Sequence, residues 1–434
     1  MSNAILKSFW AVNFGPFADK VEFTTQATNE AISELRNSGS YNTVISNGEE
    51  YFNKVSYIYG ANSAGKSFCC KILDCIQDMI RFSPVLAAGN EYTNHSIPFS
   101  IRGSQSSPFL FDSKYADVPT EFGIELIIDN IHYSYEYSLF KGNVKYEKLY
   151  KKVKRRELIL ERNESDISLK AGLMSFRPFV SLGVVKENVL CLSMAAIVNN
   201  KLATNIVEAI NGMRLVFDLK NCASSMDINE AYSKDRIQEY LKIIQKADPT
   251  VVDLSVKIKE GKDHTQEFGN GSGQVVTKKA VLDIRSTHRV IDNNEENYIY
   301  DIPFSKLESR GTVKLFGMLP ILFEVLEHGF VLVMDEIDSG LHPSLAKTLI
   351  DIFNSEKLNP YNAQLICTAH NTSIIEENVR RDQVWIVEKD VNGKSSIFRL
   401  SKLAKSRRKR AMGSYIEEVF SKLPNFIDGV EFNQ

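Results

Sequence analysis

The eight residues Gly60-Ala61-Asn62-Ser63-Ala64-Gly65-Lys66-Ser67 decide the fold of this chain of 434 residues. Their spacing, G-x-x-x-x-G-K-S, is that of a phosphate-binding loop, a motif that needs a strand before it and a helix after it. Residues 55–59 form a β-branched and aromatic run that predicts the strand, and the pattern over 67–79 predicts the helix. An ordinary glycine-rich turn is the alternative, and both flanks disfavour it.

The residue types in this loop suit the chemistry of phosphate binding. Gly60 and Gly65 let the backbone curl, so that the N–H groups of the residues between them converge on phosphate oxygens. Lys66 brings a positive charge to the β- and γ-phosphates, and the Ser67 hydroxyl can bind Mg²⁺. The helix that starts here adds its dipole. The loop therefore predicts a nucleoside triphosphate and Mg²⁺ as ligands.

Composition and charge narrow the class of protein. A formal net charge of −2 gives no global attraction to nucleic acid or to anionic membranes, so any such binding must be local. The six cysteines lack C-x-x-C spacing and suit reduced core thiols. The chain opens without a cationic and apolar leader and has no run long enough to span a bilayer. We expect a cytoplasmic protein that does not enter membranes.

The pattern along the chain predicts α/β segments at both ends with a different segment between them. The first part carries a hairpin over 5–23 and a helix over 25–38. Period-2 runs over 109–149, with a turn at Asp129-Asn130, predict an antiparallel meander. The remaining middle elements are strands over 144–154, 158–162, 251–259 and 275–285, single helices over 186–213 and 227–246, and a mobile linker over 261–273.

The final third supplies an acidic strand end. A helix is predicted over 311–327, and 330–334 is an apolar run typical of a buried parallel strand, followed directly by Asp335 and Glu336. Ligands of open α/β sheets bind at the carboxyl ends of strands. We assign Asp335 to Mg²⁺ and Glu336 to the general base that activates water. A strand that merely ends in a polar turn is the alternative, which the upstream loop disfavours.

Three further motifs follow the order found in one superfamily. They are Ser309-Arg310-Gly311-Thr312 at a helix start, Asp338-Ser339-Gly340-Leu341-His342-Pro343 after the acids, and Thr368-Ala369-His370 after the next strand. Taken with the loop, this order resembles the ABC-type ATPases. The resemblance implies that Ser309 and Gly311 contact the γ-phosphate of ATP held by a second subunit. It also implies that Asp338 lies near the dimer interface and that His370 senses the γ-phosphate.

The resemblance sharpens within that superfamily. Residues 308–316 are similar to the E-S-x-G-T-x-K-L-F helix start of the AAA-type, ABC-like ATPases related to OLD-family and RloA proteins, as are residues 335–343 and 380–390. Members of that group commonly serve bacterial anti-phage or abortive-infection systems beside a separate effector, often a Toprim-type nuclease. The implied protein is an ATP-hydrolysing subunit, dimeric around ATP or a higher oligomer, that controls a nuclease or toxin on another chain.

This resemblance gives a fold class and domain limits. The expected fold is α/β, an ABC-type ATPase head with a P-loop, an antiparallel β lobe and a mid-chain strand and helix insertion. The expected divisions are residues 1–82 and 301–400 for the head, 83–300 for the lobe and insertion, and 401–434 for a basic tail with a short helix. Catalysis is assigned to Lys66, Glu336 and His370.

Some positions depart from the superfamily pattern or leave alternatives open. Glu308-Ser309-Arg310-Gly311-Thr312 replaces the usual Leu-Ser-Gly-Gly, Gln105 is only a guess for the glutamine lid, and adenine contacts cannot be assigned. The basic clusters 151–156 and 405–410 leave nucleic-acid binding open. The alternatives are solvated lysines at a strand edge for the first cluster, and a charged surface turn or a contact with an acidic face of a partner protein for the second. An SMC-like DNA-repair or DNA-clamping ATPase is therefore the alternative function, and a transporter subunit is disfavoured.

Overall fold

A computed structural model of the chain describes residues 4–86, 108–217, 227–260, 264–268, 273–277, 280–292, 295–374 and 379–402. Gln105, the basic cluster 405–410 and the predicted C-terminal helix lie outside these residues. None of the helices that the structure describes combines the length and the apolar character that crossing a membrane requires.

A six-stranded sheet forms the centre of the fold. Its order is β11-β17-β18-β5-β19-β20, parallel except for the last pair. The strands are β5 (Val55–Gly60), β11 (Arg214–Val216), β17 (Val331–Met334), β18 (Gln364–Thr368), β19 (Val384–Lys389) and β20 (Ser395–Arg399). All six residues of β5 are buried, as expected for an apolar strand with parallel neighbours on both sides. The predicted strands of the final third and the closing hairpin are confirmed.

The second large sheet is antiparallel and has the order β10-β9-β8-β7-β6-β1-β2. Its strands are β1 (Ala4–Val12), β2 (Val21–Thr24), β6 (Thr120–Ile128), β7 (Ile131–Phe140), β8 (Asn143–Lys152), β9 (Arg156–Asn163) and β10 (Asp166–Leu169). The predicted turn at Asp129 and Asn130 is confirmed, since both have positive φ angles of 51° and 62°. Pairing of β1 with β6 joins the N-terminal hairpin and the meander into one sheet, which local patterns did not predict.

The helix after the P-loop, α2 (Lys66–Leu86), packs between these two sheets. Its buried residues share one core cluster with residues of β1, β6 and β7 and with Ile58 of β5. Cys69, Cys70 and Cys75 lie on α2 and, with Cys191 and Cys367, are buried free thiols. Burial raises the pKa of Cys69 to about 12, which keeps its thiol protonated. The prediction of reduced core cysteines is confirmed for these five, while Cys222 lies outside the described residues.

Two predictions of single long helices are wrong. Residues 186–213 contain α4 (Cys191–Ile197) and α5 (Lys201–Asn211), separated where Asn199 takes a positive φ of 61° and Asn200 caps α5. Residues 227–246 contain α6 (Ile228–Ala231) and α7 (Lys234–Ala247). The predicted cap by Asp227 is confirmed, but Ser233 then caps a second helix. Polar cap residues inside apolar periodic runs caused both breaks.

The middle segment contains more strand than expected. β12 (Val251–Glu260), β15 (Ala280–Asp292) and β16 (Glu295–Pro303) form an antiparallel sheet, and β13 (His264–Phe268) pairs with β14 (Gly273–Thr277). The prediction of one strand over 275–285 is wrong, because the run is divided between β14 and β15. The linker predicted over 261–273 contains β13.

Helices on the other face of the central sheet form a second core. α9 (Arg310–His328) and α10 (Pro343–Asn354) bury their apolar faces with α7 against β5, β17 and β18. The predicted helix over 311–327 is confirmed. Small elements complete the fold: α1 (Asn29–Ser38), α3 (Arg177–Ser181), α8 (Phe304–Leu307), β3 (Val44–Asn47) and β4 (Glu50–Asn53).

Candidate nucleotide site

The P-loop connects β5 to α2 with two residues in the left-handed region. Ser63 has a φ of 63° and Gly65 a φ of 114°. Gly60 lies against β19, and a Cβ there would come within 2.3 Å of the Val387 carbonyl oxygen. Glycine is therefore required at 60 for close packing and favoured at 65 for its backbone angle. The strand, turn and helix predicted from the motif are confirmed.

The Lys66 ammonium lies at the base of this loop, and its residue is only 6 % exposed. It donates hydrogen bonds to the carbonyl oxygens of Gly60 at 2.8 Å and Ala61 at 3.1 Å. These contacts use two of its three N–H donors. Burial lowers the pKa of Lys66, and the negative charges of Asp335, Glu336 and Asp338 oppose that shift. The lysine is thus held among carbonyl groups and near three carboxylates, whose charges offset part of the effect of burial.

The closing hairpin and the N-terminal turn support the loop from outside. Ser395 donates its hydroxyl to the Ala64 carbonyl at 2.6 Å and its N–H to the Pro16 carbonyl at 2.8 Å. A Cβ at Gly65 would lie 3.2 Å from both Pro16 and Ser395. Sequence reasoning assigned no role to Ser395. The turn-forming pair Gly15-Pro16, within the hairpin predicted over 5–23, was the available signal.

Asp335 and Glu336 follow β17 and are both organised by Thr368, the last residue of the neighbouring strand β18. The Thr368 hydroxyl donates to Asp335 Oδ1 at 2.6 Å and accepts the Glu336 N–H at 2.7 Å. Thr368 is fully buried. One hydroxyl therefore fixes a carboxylate oxygen of the first acid and the backbone of the second.

Glu336 and His370 form the reactive edge of the site. Glu336 has a φ of 51°, unusual for a residue with a long side chain, and its backbone is held by Thr368. His370 Nε2 lies 3.5 Å from Glu336 Oε1, and both side chains remain accessible, at 39 % and 50 % exposure. A half-exposed carboxylate next to an imidazole can accept a proton from a bound water molecule.

Asp338 binds the backbone that carries His370. Its Oδ2 accepts the N–H groups of His370 at 2.9 Å and Asn371 at 2.7 Å. These charge-assisted bonds fix the backbone that carries the histidine. Its prediction as an interface residue stays a prediction, because a single chain does not test it.

Ser309 begins helix α9 and caps it. Its hydroxyl accepts the Thr312 N–H at 3.1 Å, and the residue is exposed. A Cβ at Gly311 would lie 3.2 Å from the Gly340 carbonyl, so the helix start packs on the loop after Glu336. Lys314 reinforces this contact by donating to the Ser339 carbonyl. The exposed helix start is suited to contact an anion outside this chain.

A cavity of about 740 Å³ is lined by residues of the P-loop together with Glu336 and His370. Of the predicted site residues, the cavity is lined by Asn62, Ser63, Gly65, Lys66, Ser67, Glu336 and His370. Asp335 contacts the site through Thr368, and neither Ser309 nor Gly311 is among the described lining residues. The structure thus brings together two of the three predicted parts of the site within one chain, the P-loop and the pair Glu336 and His370. The third part, the helix start at Ser309, lies outside the cavity.

The other end of this cavity is apolar, a feature that sequence reasoning missed. Leu110 and Phe111 line it while 81 % and 67 % exposed, and the Lys389 ammonium lies 5.2 Å from the Phe111 ring centre. Pro16 and Phe68 complete this end. Large exposed apolar side chains beside a polar loop are typical of ligand clefts. The prediction of strand for residues 109–119 is wrong, because the first described strand after α2 begins at Thr120.

The residues present fit a magnesium nucleotide. Mg²⁺ is usually held by one or two protein oxygens together with phosphate oxygens and water, rather than by a full protein cage. Ser67 at the start of α2 and Asp335 at the end of β17 provide such a pair. Among the described residues no group of three or more His, Cys, Asp or Glu side chains could hold a metal ion.

Comparison with known sequences identifies the family. The chain matches the AAA_21 family, described as an AAA domain, putative AbiEii toxin, type IV TA system, over residues 55–178 and 208–376. The two segments cover more than half of the chain. This protein belongs to the AAA_21 family. The first segment of the AAA_21 match begins at the P-loop strand, and the second includes the acids and His370. No functionally curated protein matches the chain in sequence.

Two of the solved structures similar to this AAA_21 protein are SMC head domains. One is the SMC head bound to the C-winged helix domain of ScpA, with a TM-score of 0.37, 12 % identity and coverage of 93 % of this chain and 98 % of that one. The other is the SMC head domain from Thermotoga maritima, with a TM-score of 0.37, 14 % identity and coverage of 91 % and 98 %.

Proposed function

We propose that this chain is a Mg²⁺-dependent ATPase whose sites are completed by a second copy of itself. The observation that carries the proposal is the cavity in which Lys66, Ser67, Glu336 and His370 meet. Lys66 and the loop N–H groups bind the phosphates, and Ser67 and Asp335 hold Mg²⁺ when it is bound. The metal would neutralise charge on the β- and γ-phosphates. Membership of an AAA family supports nucleotide hydrolysis.

Glu336 is the proposed general base. Its carboxylate faces the cavity at 50 % exposure, while Asp335 takes the buried bond from Thr368 and is the one suited to the metal. His370 Nε2, 3.5 Å from Glu336, would donate to the γ-phosphate oxygens or orient the carboxylate. The different environments of the two adjacent acids support different roles, general base for Glu336 and metal ligand for Asp335.

The apolar end of the cavity would take the nucleobase. Phe111 offers a ring face for stacking and Leu110 an apolar edge, while the P-loop holds the phosphates at the other end. Stacking of a base on an aromatic side chain contributes about 1–3 kcal/mol. This arrangement favours a purine nucleoside triphosphate over an inorganic phosphate chain.

The proposal of a dimer rests on the predicted γ-phosphate contacts that are missing from the cavity lining. Ser309 and Gly311 lie at the accessible start of helix α9 and do not line the cavity of their own chain in the described structure. The positive end of that helix and the capping hydroxyl suit a γ-phosphate presented by another subunit. Two-fold symmetry would then create two equivalent composite sites.

The biological setting is proposed as phage defence. The family description names a type IV toxin–antitoxin system, and such a system pairs this kind of chain with another component. We propose that ATP-driven dimerisation of this chain controls a separate nuclease or toxin effector. The basic cluster 151–156 lies at the β8–β9 connection, and within the described residues no contact specifically favours the DNA-clamping alternative.

Substitution of Glu336 tests this function. The E336Q variant should bind ATP normally, hydrolyse it at least about 100-fold more slowly because the base is lost, and accumulate as an ATP-bound dimer in sedimentation. E356Q, an exposed surface change, is the matched control. Hydrolysis by E336Q at the parental rate would refute the assigned role.

The same variant tests the effector. Purification of E336Q from its native host with ATP should retain a nuclease-like or toxin-like protein that K66A, which cannot hold the nucleotide, releases. Equal amounts of that protein on both variants, or none on either, would contradict control by the ATP-bound dimer.

A further inference from the structure

A buried contact between His288 and Glu308 joins the middle segment to the start of helix α9. Glu308 directly precedes the capping residue Ser309, and its side chain is 1 % exposed. Glu308 Oε1 lies 2.7 Å from His288 Nε2 on β15 and accepts the Ser286 hydroxyl at 3.1 Å. A carboxylate this buried depends on such partners, so its position follows theirs.

His288 is itself fixed on its other side. Its Nδ1 lies 3.0 Å from the Thr250 hydroxyl, which donates to Asp248 Oδ1 at 2.6 Å. The Thr250 carbonyl also accepts the Arg289 N–H at 2.8 Å, across the start of the β12–β15 pairing. The imidazole ring therefore has a defined orientation, set by residues of the middle segment.

The backbone gives a second and short connection. β16 pairs with β15 through Ser286 and Ile302, and α8 then leads within a few residues to Glu308. Farther along α9, the Tyr240 ring of α7 packs edge-on against Phe316 at 6.0 Å. Both the start and the middle of α9 are thus held by the segment between the two halves of the head.

We propose that His288 is a positioning residue that makes the location of Ser309 depend on the sheet β12–β15–β16. This inference rests on the proposed contact of Ser309 with the γ-phosphate of a second subunit. Any displacement of β15 would move Glu308, because leaving that carboxylate buried without its partner is unfavourable. The sheet would therefore regulate ATP-driven dimerisation while nucleotide binding to the P-loop stays unchanged.

Two polar substitutions of His288 test the contacts of its two ring nitrogens separately. In H288Q the longer amide places its nitrogen near the former Nε2 and keeps the bond to Glu308. In H288N the shorter amide matches Nδ1 and keeps only the bond to Thr250. Both are tested in the E336Q background, with fluorescent ATP binding measured on the monomer and dimerisation measured by sedimentation. D283N, which removes an exposed ion pair on the same sheet, is the control.

The expected result is a loss confined to dimerisation. H288N should need about tenfold more protein to dimerise than H288Q, as is typical of coupling between sites, while both bind fluorescent ATP as E336Q does. H288Q and D283N should dimerise like E336Q. Equal dimerisation of H288N and H288Q, or an equal loss of ATP binding and dimerisation in H288N, would overturn the inference. Failure of E336Q itself to dimerise would instead refute the composite site.

Discussion

At the scale of single residues, Thr368 links the two acids of the site. Its hydroxyl bonds both the Asp335 carboxylate and the Glu336 backbone, and it is fully buried. The positive φ of Glu336 is tolerated because of this support. A residue that orients the groups around a metal commonly affects activity as strongly as a ligand does.

Removal of this hydroxyl should be costly for activity. T368V keeps the shape of the side chain but leaves Asp335 and the Glu336 N–H without their partner, so kcat should fall by about 10- to 100-fold. T348V, which removes a hydroxyl bonded within the exposed part of α10, is the control and should keep parental activity. Steady-state hydrolysis measures both variants. A T368V rate within twofold of the parent would contradict the role of Thr368.

Residue identities in motifs were predictable, whereas side-chain contacts were not. Lys66 follows from the spacing of the P-loop, Glu336 from the acidic end of an apolar strand, and His370 from the resemblance to ABC-type ATPases. The structure brings all three into one cavity. The two bonds of Thr368 depend on the register of β17 against β18, which no local pattern gives. The apolar end at Leu110 and Phe111 depends equally on how a loop returns to the P-loop.

At the scale of elements, the segment with Phe111 is placed over the nucleotide cavity by contacts with two other parts of the chain. Phe111 packs edge-on against Phe109 with ring centres 5.6 Å apart, and a Cβ at Gly393 would meet its ring at 3.0 Å. Asn13 accepts the Phe109 N–H at 2.9 Å. The exposed ring is therefore held by the N-terminal strand and by the closing hairpin.

Truncation of this ring should affect only ligands that carry a base. F111A should weaken ATP binding by about 5- to 150-fold, since stacking on one aromatic ring contributes about 1–3 kcal/mol. Tripolyphosphate binding, measured by calorimetry, should be unchanged. Y361A removes an exposed aromatic ring outside the cavity and is the control. A parallel loss of affinity for ATP and tripolyphosphate would place the effect on the P-loop and contradict a base contact.

Most helices and strands followed from hydrophobic periodicity, and the two wrong helix predictions have a common cause. Asn199, Asn200 and Ser233 end or cap helices inside runs whose apolar spacing continues. Such residues compete for backbone hydrogen bonds, and tertiary contacts decide whether a helix continues or breaks. The strands β13 and β16 lie in polar sequence where pairing with a neighbour, not hydrophobic pattern, defines them.

At the scale of the whole molecule, the two sheets and α2 position the part of the proposed site that lies within one chain. The central sheet aligns the ends of β5, β17 and β18, so the P-loop, the acids and His370 face one cavity. Helix α9 directs Ser309 to the surface instead. The order of the motifs predicted this division, but the pairing of β1 with β6 and the contact of β15 with Glu308 required the folded structure.

Complementation between two inactive variants tests this division most directly. K66A removes the phosphate contact within one chain, and S309R blocks the proposed contact with the partner's nucleotide; each should be inactive alone. An equal mixture should recover about a quarter of parental hydrolysis, because half of the random dimers are mixed and each of these has one intact site. A mixture that stays inactive, or an S309R protein that is active alone, would contradict the composite site.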